Sequence, residues 1–447
     1  MRRLARVAKR AYASDYFPYF VLLVTMAVLH CFIGLGQGDD GFFSGALDRQ
    51  GIADYLQLRY SRWTSRILIE AVMVTVLRSA LLWRVLDVAA LLTLALSLSR
   101  LIGARRSRTM NYLVCLGFMM YPFAHLSSAG WGATTVNYLW PGAACAFALI
   151  PYKKAVEGER VGAKLGAAAL AATLFAANAE QFAFFLVCLM AALNACLISR
   201  GKTQPVLLLQ FFAAAAMAVF ALTCPGNANR IAEETARWFP GFGMLGFLDR
   251  AYLGAAQTVA YIFATPNRLF LLFCGALFVS AWRKHESVTV RCVAALPFVY
   301  SVFANVPANL YRGVLPELQR LTTFGLPSGG EALSATRYAV MFIAMLSLCF
   351  AGISLINVYG KTKKGALFVF LLLIGLAAGA MTGFLPTAYA SGLRTYFITD
   401  MVFLFLGCSL VEDFLSGLAP VPRRLLLAAV AVLAALSLHQ TFLVIAA

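Results

Sequence analysis

Two adjacent carboxylates, Asp39 and Asp40, directly follow the first long apolar run of the chain, with a glycine on each side of the pair. A carboxylate at the end of a membrane span is costly unless it is paired or has a function. One of the two can serve as a general base, and the pair can also hold a divalent metal ion. Asp40 lies further from the helix end, so we expect it to reach an outer cavity more easily than Asp39.

The polar residues that accompany this pair fall into two chemical classes. Arginine binds phosphate through two parallel hydrogen bonds, and the candidates are Arg62, Arg66, Arg230 and Arg394. Aromatic planes, amides and carboxylates hold sugars or their acceptors, and the candidates are Trp131, Asn137, Tyr138, Glu180 and Asn227. Arg62 and Arg66 are four residues apart, so we expect them to share one face of a juxtamembrane helix. A base, phosphate-binding cations and sugar-binding groups together are what sugar transfer from a lipid phosphate requires.

Each of these residues also has a structural explanation. An aspartate after a glycine is ordinary loop chemistry, arginines at a membrane surface contact lipid headgroups, and Trp and Tyr form belts at both interfaces. Glu180 lies between two apolar runs and could simply face water. A functional site is favoured because nearly all of these residues fall on one side of the membrane in the predicted topology.

The composition indicates an all-α, polytopic integral membrane protein. The chain has 447 residues, of which 61% are hydrophobic and 13% charged, whereas a soluble domain is nearer half apolar and a quarter charged. The net charge of +18 needs no nucleic acid, because cationic residues gather in cytoplasmic loops and on anionic lipid headgroups. The ten cysteines lie mostly in apolar runs without CxxC spacing, which argues against a disulfide framework and a thiolate metal site.

The basic loops set the orientation. Residues 1–10 are strongly basic and precede the apolar run 17–34, so we predict a cytoplasmic N-terminus. If 67–83 and 247–265 lie along the outer surface rather than crossing, the arginines at 105–108 and every later basic loop fall in the cytoplasm, as the positive-inside rule requires.

About thirteen membrane-spanning helices are then predicted within a single domain, 1–447. The expected spans are 17–34, 81–102, 110–125, 138–151, 162–178, 182–199, 206–223, 268–282, 289–304, 338–357, 366–385, 396–415 and 425–447. The extracytoplasmic segments are 36–80, which carries juxtamembrane helices, and the two loops 224–267 and 305–337. The C-terminus is expected outside.

The acidic pair after the first helix, the large first outer loop and the number of spans resemble the GT-C superfamily of glycosyltransferases. More narrowly, the motifs resemble those of prophage-type O-antigen glucosyltransferases and related uncharacterised bacterial families. These motifs are Asp39-Asp40, Arg62-Trp63-Thr64-Ser65-Arg66, Asn137-Tyr138-Leu139-Trp140, Pro225-Gly226-Asn227 and Arg230. The resemblance is firmest in the first half of the chain, and unlike the larger members the chain lacks a soluble extracytoplasmic domain.

The resemblance implies an activity, partners and a location. The donor would be a polyprenyl-phosphate-linked sugar, and the acceptor a glycan or lipid-linked glycan of the cell envelope. Transfer would occur on the extracytoplasmic face of the plasma membrane, with Asp39 or Asp40 as the base.

Two other functions stay open. A flippase or transporter for a lipid-linked glycan would carry charges buried in the middle of its spans, and the spans predicted here are nearly free of charge at their centres. A polysaccharide polymerase or ligase shares large outer loops with arginines. The acidic pair in the first loop is the feature that distinguishes a glycosyltransferase from both.

Overall fold

A computed structural model describes residues 14–103, 107–305, 335–415, 417 and 420–446, and every regular element in these ranges is helical. Most of the predicted outer loop 305–337 lies outside the described residues. So do the basic residues 1–10, Arg105 and Arg106, on which the predicted orientation depends. The chain forms two compact units, one of Met1–Glu234 with Leu427–Ala447, and one of Thr235–Leu426.

The first unit contains the helices of the N-terminal half and most of the last helix. They are α1 (Phe17–Phe32), α2 (Asp40–Gly45), α3 (Ile52–Arg62), α4 (Ile67–Val76), α5 (Ala80–Ile102), α6 (Arg108–Met119), α7 (Trp131–Thr134), α8 (Trp140–Ala148), α9 (Ile150–Glu157), α10 (Ala163–Ala176), α11 (Glu180–Ile198) and α12 (Pro205–Thr223). A π-helical turn, Thr135–Leu139, joins α7 to α8, and a 3₁₀ turn covers Phe123–Ser127.

The second unit contains the helices that follow. They are α13 (Pro225–Trp238), which begins in the first unit, α14 (Phe247–Ala264), α15 (Arg268–Lys284), α16 (Val288–Asn305), α17 (Ala335–Tyr359), α18 (Lys363–Ala380), α19 (Phe397–Leu415) and α20 (Pro420–Ala446), which ends in the first unit. Short 3₁₀ turns cover Pro240–Met244, Met381–Phe384 and Leu393–Tyr396.

Seven helical stretches in the described residues are long and apolar enough to cross a membrane, so the protein is a membrane-embedded helical protein. They are Ala80–Ile102, Glu180–Ile198, Pro205–Thr223, Val288–Asn305, Phe342–Tyr359, Lys363–Phe384 and Val421–Ala446. An eighth is obtained if α14 and α15, which meet at a bend of 79°, count as one broken span. The observed bounds of α5, α11, α12 and α16 lie within two residues of the predicted ones.

The segment 67–83 differs from the single surface helix that we expected. It forms two helices, because α4 ends at Val76 and α5 begins at Ala80. The Ser79 hydroxyl accepts a hydrogen bond from the Leu82 amide at 3.3 Å and so caps α5. A helix of ten residues spans about 15 Å, half of the hydrocarbon core of a bilayer. Its length therefore makes α4 too short to cross, while Trp83 belongs to the long helix α5.

A buried ion pair connects α3 to α4 within the segment 36–80. Arg59 donates from Nε and Nη2 to the two oxygens of Glu70, at 2.7 and 2.6 Å, and the Tyr55 hydroxyl donates to the same carboxylate at 2.9 Å. This is the two-point geometry in which arginine binds a carboxylate most strongly. Four aromatic rings lie 5.5–6.0 Å from the guanidinium carbon, those of Phe42, Phe43, Tyr55 and Trp63. The pair and its aromatic surroundings join α2, α3 and α4.

Helix α13 approaches the end of α3 so closely that only glycine fits between them. Pro225 opens α13, where its fixed φ and missing N–H suit the first helical turn. A Cβ atom on Gly226 would lie 2.5 Å from the Trp63 nitrogen and 2.6 Å from the Tyr60 oxygen. The contact is between two backbones, so neither side can move away without shifting a helix.

We expect Gly226→Ala to destabilise the protein by about 1–3 kcal/mol, the usual cost of overpacking a close contact. The measurement is thermal unfolding in detergent. Gly243→Ala is the control, because a Cβ there meets no atom within 4 Å. Equal midpoints for the two variants would contradict the backbone contact.

Candidate functional site

The turn between α3 and α4 separates the two arginines that we expected on one helical face. Helix α3 ends at Arg62 and α4 begins at Ile67, so the prediction of a shared face is wrong. Arg62 is exposed, and the described part of the chain offers it no ion pair. Arg66 instead points into the protein. Thr64 and Ser65, which lie between the two arginines in the sequence, are 1% and 0% exposed and fix the turn.

Two asparagines hold this turn through its backbone. Asn178 donates to the Ser65 carbonyl at 3.0 Å and accepts from the amides of Leu68 and Ile69, at 3.0 and 3.1 Å. It therefore caps the start of α4 from a distant segment. Asn227 accepts from the Ser65 amide at 3.2 Å and donates to the Ser65 hydroxyl at 3.1 Å. The Asn227 amide is thus committed to the turn rather than presented to a sugar.

Glu180, the first residue of α11, gathers two of the predicted arginines. Arg66 donates to Glu180 Oε2 from Nε at 2.8 Å and lies 2.6 Å from it through Nη2. Arg230 Nη2 lies 3.7 Å from Glu180 Oε1. The Asn137 side-chain oxygen accepts from Arg66 Nη1 at 3.3 Å. The three charged side chains are 21–24% exposed, so the cluster lies at the surface of the fold but is largely withdrawn from water.

The cluster places two guanidinium groups around the Glu180 carboxylate, and the carboxylate of Glu234 also acts electrostatically on Arg230. Burial disfavours the charge on Arg66, but the Glu180 carboxylate and Tyr138 outweigh burial and raise the pKa of Arg66 above its usual range. Burial lowers the pKa of Arg230, although Glu180 acts in the opposite direction. Arginine remains protonated at neutral pH in either case. Arg230 is the more weakly paired of the two arginines, because Arg66 is hydrogen-bonded to Glu180 while Arg230 lies 3.7 Å from it.

The π-helical turn Thr135–Leu139 brings Asn137 and Tyr138 to this cluster. The Trp140 amide donates to the Thr135 carbonyl, the five-residue step that defines a π turn. Such turns are rare and occur frequently at functional sites. Asn137 contacts Arg66 directly, and Tyr138 acts electrostatically on both Arg66 and Arg230.

Trp131 is 6% exposed at the start of α7. It therefore offers no open face for the sugar stacking that we predicted. Among the aromatic candidates, only Tyr138 lies at the cluster.

Asp40 and Asp39 have opposite environments. Asp40 is 1% exposed and accepts from the amides of Ala133 at 2.7 Å and Gly132 at 3.3 Å. These amides lie in the first turn of α7, where a carboxylate is favoured. Asp39 is exposed, so our expectation that Asp40 is the more accessible carboxylate is wrong. The Asn137 amide donates to the Ala133 carbonyl at 2.9 Å, which places the acidic pair about one helical turn from the arginine cluster.

A histidine–aspartate pair that the sequence analysis does not assign to the site contacts Trp140, the residue that follows the π turn. His30 Nε2 is 2.8 Å from Asp87 Oδ2, and Trp140 Nε1 donates to Asp87 Oδ1 at 2.6 Å. Asp87 is 1% exposed and sits inside α5. The expectation that the spans are nearly charge-free at their centres is therefore wrong for α5. The signal was present in the sequence, since a carboxylate within an apolar run marks a functional candidate.

An apolar groove of about 300 Å³ runs beside this pair. It is formed by α5, α8 and α10, with Leu86, Phe147 and Phe175 among its lining residues, and Trp140 borders it. Trp140 follows Tyr138 by two residues, so the segment that carries the cluster's Asn137 and Tyr138 continues directly to the edge of the groove. Its lining suits a hydrocarbon chain.

The second unit holds the remaining predicted residue and a buried carboxylate. Arg394 lies on the 3₁₀ turn Leu393–Tyr396, and its role in phosphate binding stays a prediction. Asp400 in α19 is 0% exposed and accepts from the Tyr261 hydroxyl at 2.5 Å and the Asn267 amide at 2.9 Å. A divalent metal at Asp39 and Asp40 also stays a prediction, and no cluster of three metal-ligating side chains occurs in the described ranges.

The environment of Asp40 predicts a pH dependence of stability. Burial raises its pKa above the usual 3.8, although the amides of Ala133, Gly132 and Gly36 act in the opposite direction. The folded protein thus binds this proton more tightly than the unfolded chain, so stability falls as the pH rises from 3.8 towards the raised pKa. In detergent unfolding across this window, we expect the stability of the wild type relative to Asp40→Asn to decrease with pH. A relative stability that increases would mean that the amide bonds outweigh burial.

No protein-family model, curated protein or solved structure matches this chain. The resemblance of its motifs to the GT-C superfamily therefore rests on the residues themselves, and the geometry of the cluster carries the functional conclusion.

Proposed function

We propose that the protein is a membrane glycosyltransferase that moves a sugar from a polyprenyl-phosphate-linked donor to a glycan or lipid-linked acceptor. The observation that carries this proposal is the Arg66–Glu180–Arg230 cluster, in which Arg230 lies beyond hydrogen-bond distance of the carboxylate, together with the apolar groove that Trp140 borders. A lipid phosphate has the same two parts, an anionic head and a long hydrocarbon chain. The match between the two supports this class of donor.

The phosphate is held by the arginines. Arg230 lies 3.7 Å from Glu180, beyond a good hydrogen bond, so its donors remain available for phosphate oxygens. Arg66 is fixed by Glu180 and Asn137 and supplies a positioned charge. As the bond between the sugar and the phosphate breaks, negative charge grows on the phosphate, and fixed guanidinium groups stabilise that charge.

The base in this proposal is Asp39. It is the exposed member of the pair, whereas both oxygens of Asp40 are bonded to amides of α7. Asp39 takes the proton of the acceptor hydroxyl, whose oxygen then attacks the anomeric carbon while the lipid phosphate departs. A single displacement of this kind inverts the anomeric configuration. Asn137 and Tyr138 orient the sugar.

The proposal includes a GT-C-like arrangement with about thirteen spans in the plasma membrane, its N-terminus in the cytoplasm and its site outside. Seven described helices and the bent pair α14–α15 would supply eight spans. The other five would be shorter or more polar helices, namely α1, α6, α8, α10 and α19. A polymerase or ligase of the same lipid-linked polysaccharides would share this site and would differ in its product.

One observation favours a second candidate, a flippase for a lipid-linked glycan. Asp400 is fully buried in α19 with only neutral partners, and no described lysine, arginine or histidine lies within 4 Å of it. Its partner Asn267 lies at the break between α14 and α15, and broken helices with buried charges are typical of transporters. A flippase would move a labelled lipid-linked sugar across vesicles without forming a new glycosidic bond.

We expect Arg66→Lys to lower donor use by about tenfold or more, because lysine keeps the charge but cannot bond Glu180 and Asn137 together as the guanidinium does. Turnover of radiolabelled polyprenyl-phosphate sugars by purified protein measures the effect. Arg62→Lys is the matched control, since Arg62 is exposed on the same loop and has no described ion pair. Unchanged donor use in Arg66→Lys would mean that the bonds of its guanidinium group play no part in binding the donor.

We expect Asp39→Asn to fold and insert normally and to lose turnover by roughly a hundredfold, the usual effect of removing a general base. Asp48→Asn makes the same change at an exposed position of the same loop, where Asp48 lies 3.5 Å from Arg78, and should retain turnover. Full activity of Asp39→Asn at normal expression would exclude Asp39 as the base.

A further inference from the structure

Two hydrogen bonds connect the two ends of the π turn to α5, and together we call them the bracket. Trp83 Nε1 donates to the Thr135 hydroxyl at 3.0 Å, and Asp87 accepts from Trp140 Nε1 at 2.6 Å. Thr135 is the first residue of the π turn, and Trp140 directly follows its last. Both ends of the turn are therefore attached to one helix.

The spacing of these residues requires the π turn. Trp83 and Asp87 are four residues apart in α5, so they point to the same side. Thr135 and Trp140 are five residues apart, and in a regular α-helix their directions would differ by about 140°. Only one of them would then face α5. The hydrogen bond from the Trp140 amide to the Thr135 carbonyl widens the turn by one residue and returns both side chains to the same face.

The bracket is rigid because its members are buried and bonded. Trp83 is 0% exposed, and its ring centroid lies 5.4 Å from that of His30. His30 is 5% exposed, binds Asp87 through Nε2 and lies 2.7 Å from the Met26 carbonyl through Nδ1. Asp87 therefore has a partner on each oxygen. Polar groups that are fully bonded in apolar surroundings fix their geometry strongly, which offsets the cost of a π turn.

We infer that Trp83, Asp87 and His30 are positioning residues for the arginine cluster. They hold the π turn, and the π turn directs Asn137 and Tyr138 towards Arg66. Without the additional residue in the turn, the bracket and the Asn137–Arg66 contact could not form together. The part of this inference that concerns ligand binding rests on the proposed function.

Two neighbouring threonines provide a matched test. Thr134 and Thr135 are each 2% exposed, and valine replaces threonine with little change of shape. Thr135→Val removes the acceptor of the Trp83 bond, together with the longer bond, 3.3 Å, that the same hydroxyl donates to the Gly132 carbonyl. Thr134→Val removes a hydroxyl that has no hydrogen-bond partner in the described part of the structure.

Amide hydrogen exchange across 131–148 measures the turn without any substrate. We expect Thr135→Val to speed exchange about tenfold, the scale of a lost buried hydrogen bond, and Thr134→Val to leave it unchanged. We also expect Thr135→Val to weaken binding of a polyprenyl phosphate in lipid nanodiscs by about tenfold, with wild-type affinity for Thr134→Val. If Thr135→Val does not fold, Trp140→Phe removes the other end of the bracket and serves in its place.

The outcomes test the bracket and the proposed function independently. Equal exchange in the Thr135 and Thr134 variants overturns the bracket. Faster exchange in Thr135→Val with unchanged lipid-phosphate binding overturns the positioning role. If the wild type binds no polyprenyl phosphate, the proposed function fails, and the exchange result still decides whether the bracket holds the π turn.

Discussion

The carboxylate of Glu180 is the group on which the candidate site depends. A charge withdrawn from water is stable only when it is paired and hydrogen-bonded, and Glu180 finds its partners in two separate segments. Arg66 and the Ser65 hydroxyl come from the turn between α3 and α4, and Arg230 comes from α13. Arg66 in turn contacts Asn137. One carboxylate therefore connects the turn between α3 and α4 with α13 and, through Arg66, with the π turn, and it holds two guanidinium groups close together.

The second feature that organises the first unit is a set of hydrogen bonds from backbone amides to side chains that are distant in the sequence. Asp40 binds the amides at the start of α7, Asn178 binds those at the start of α4, and Asn227 binds Ser65. Helix starts leave amides without partners inside the helix, and in apolar surroundings such amides are expensive. These three residues supply the missing acceptors. In the sequence they are polar residues between apolar runs, but in the structure they stabilise the fold. For this reason Asp39, and not Asp40, is the accessible carboxylate.

Some of the apolar helices contain buried carboxylates, and both oxygens of each of these carboxylates are hydrogen-bonded. Asp87 is bonded to His30 and Trp140, and Asp400 to Tyr261 and Asn267. The two carboxylates differ in one respect, because the partners of Asp400 are all neutral while those of Asp87 include a histidine. Asp87 fits a positioning role under the π turn. Asp400 is the residue on which the flippase alternative depends.

The sequence by itself determined the class of the protein and several helix bounds, as in α5 and α11, because apolar length is a local property that each segment carries on its own. It also identified Arg66, Asn137, Tyr138, Glu180 and Arg230 as polar residues of interest. Only the tertiary structure decided that these five meet, that Arg62 diverges from Arg66, and that Asp40, Trp131 and Asn227 serve the fold. The physical reason is separation along the chain. The decisive contacts join residues 114 positions apart, as for Arg66 and Glu180, or 162 apart, as for Ser65 and Asn227, and no local pattern encodes which distant partner a polar group will find.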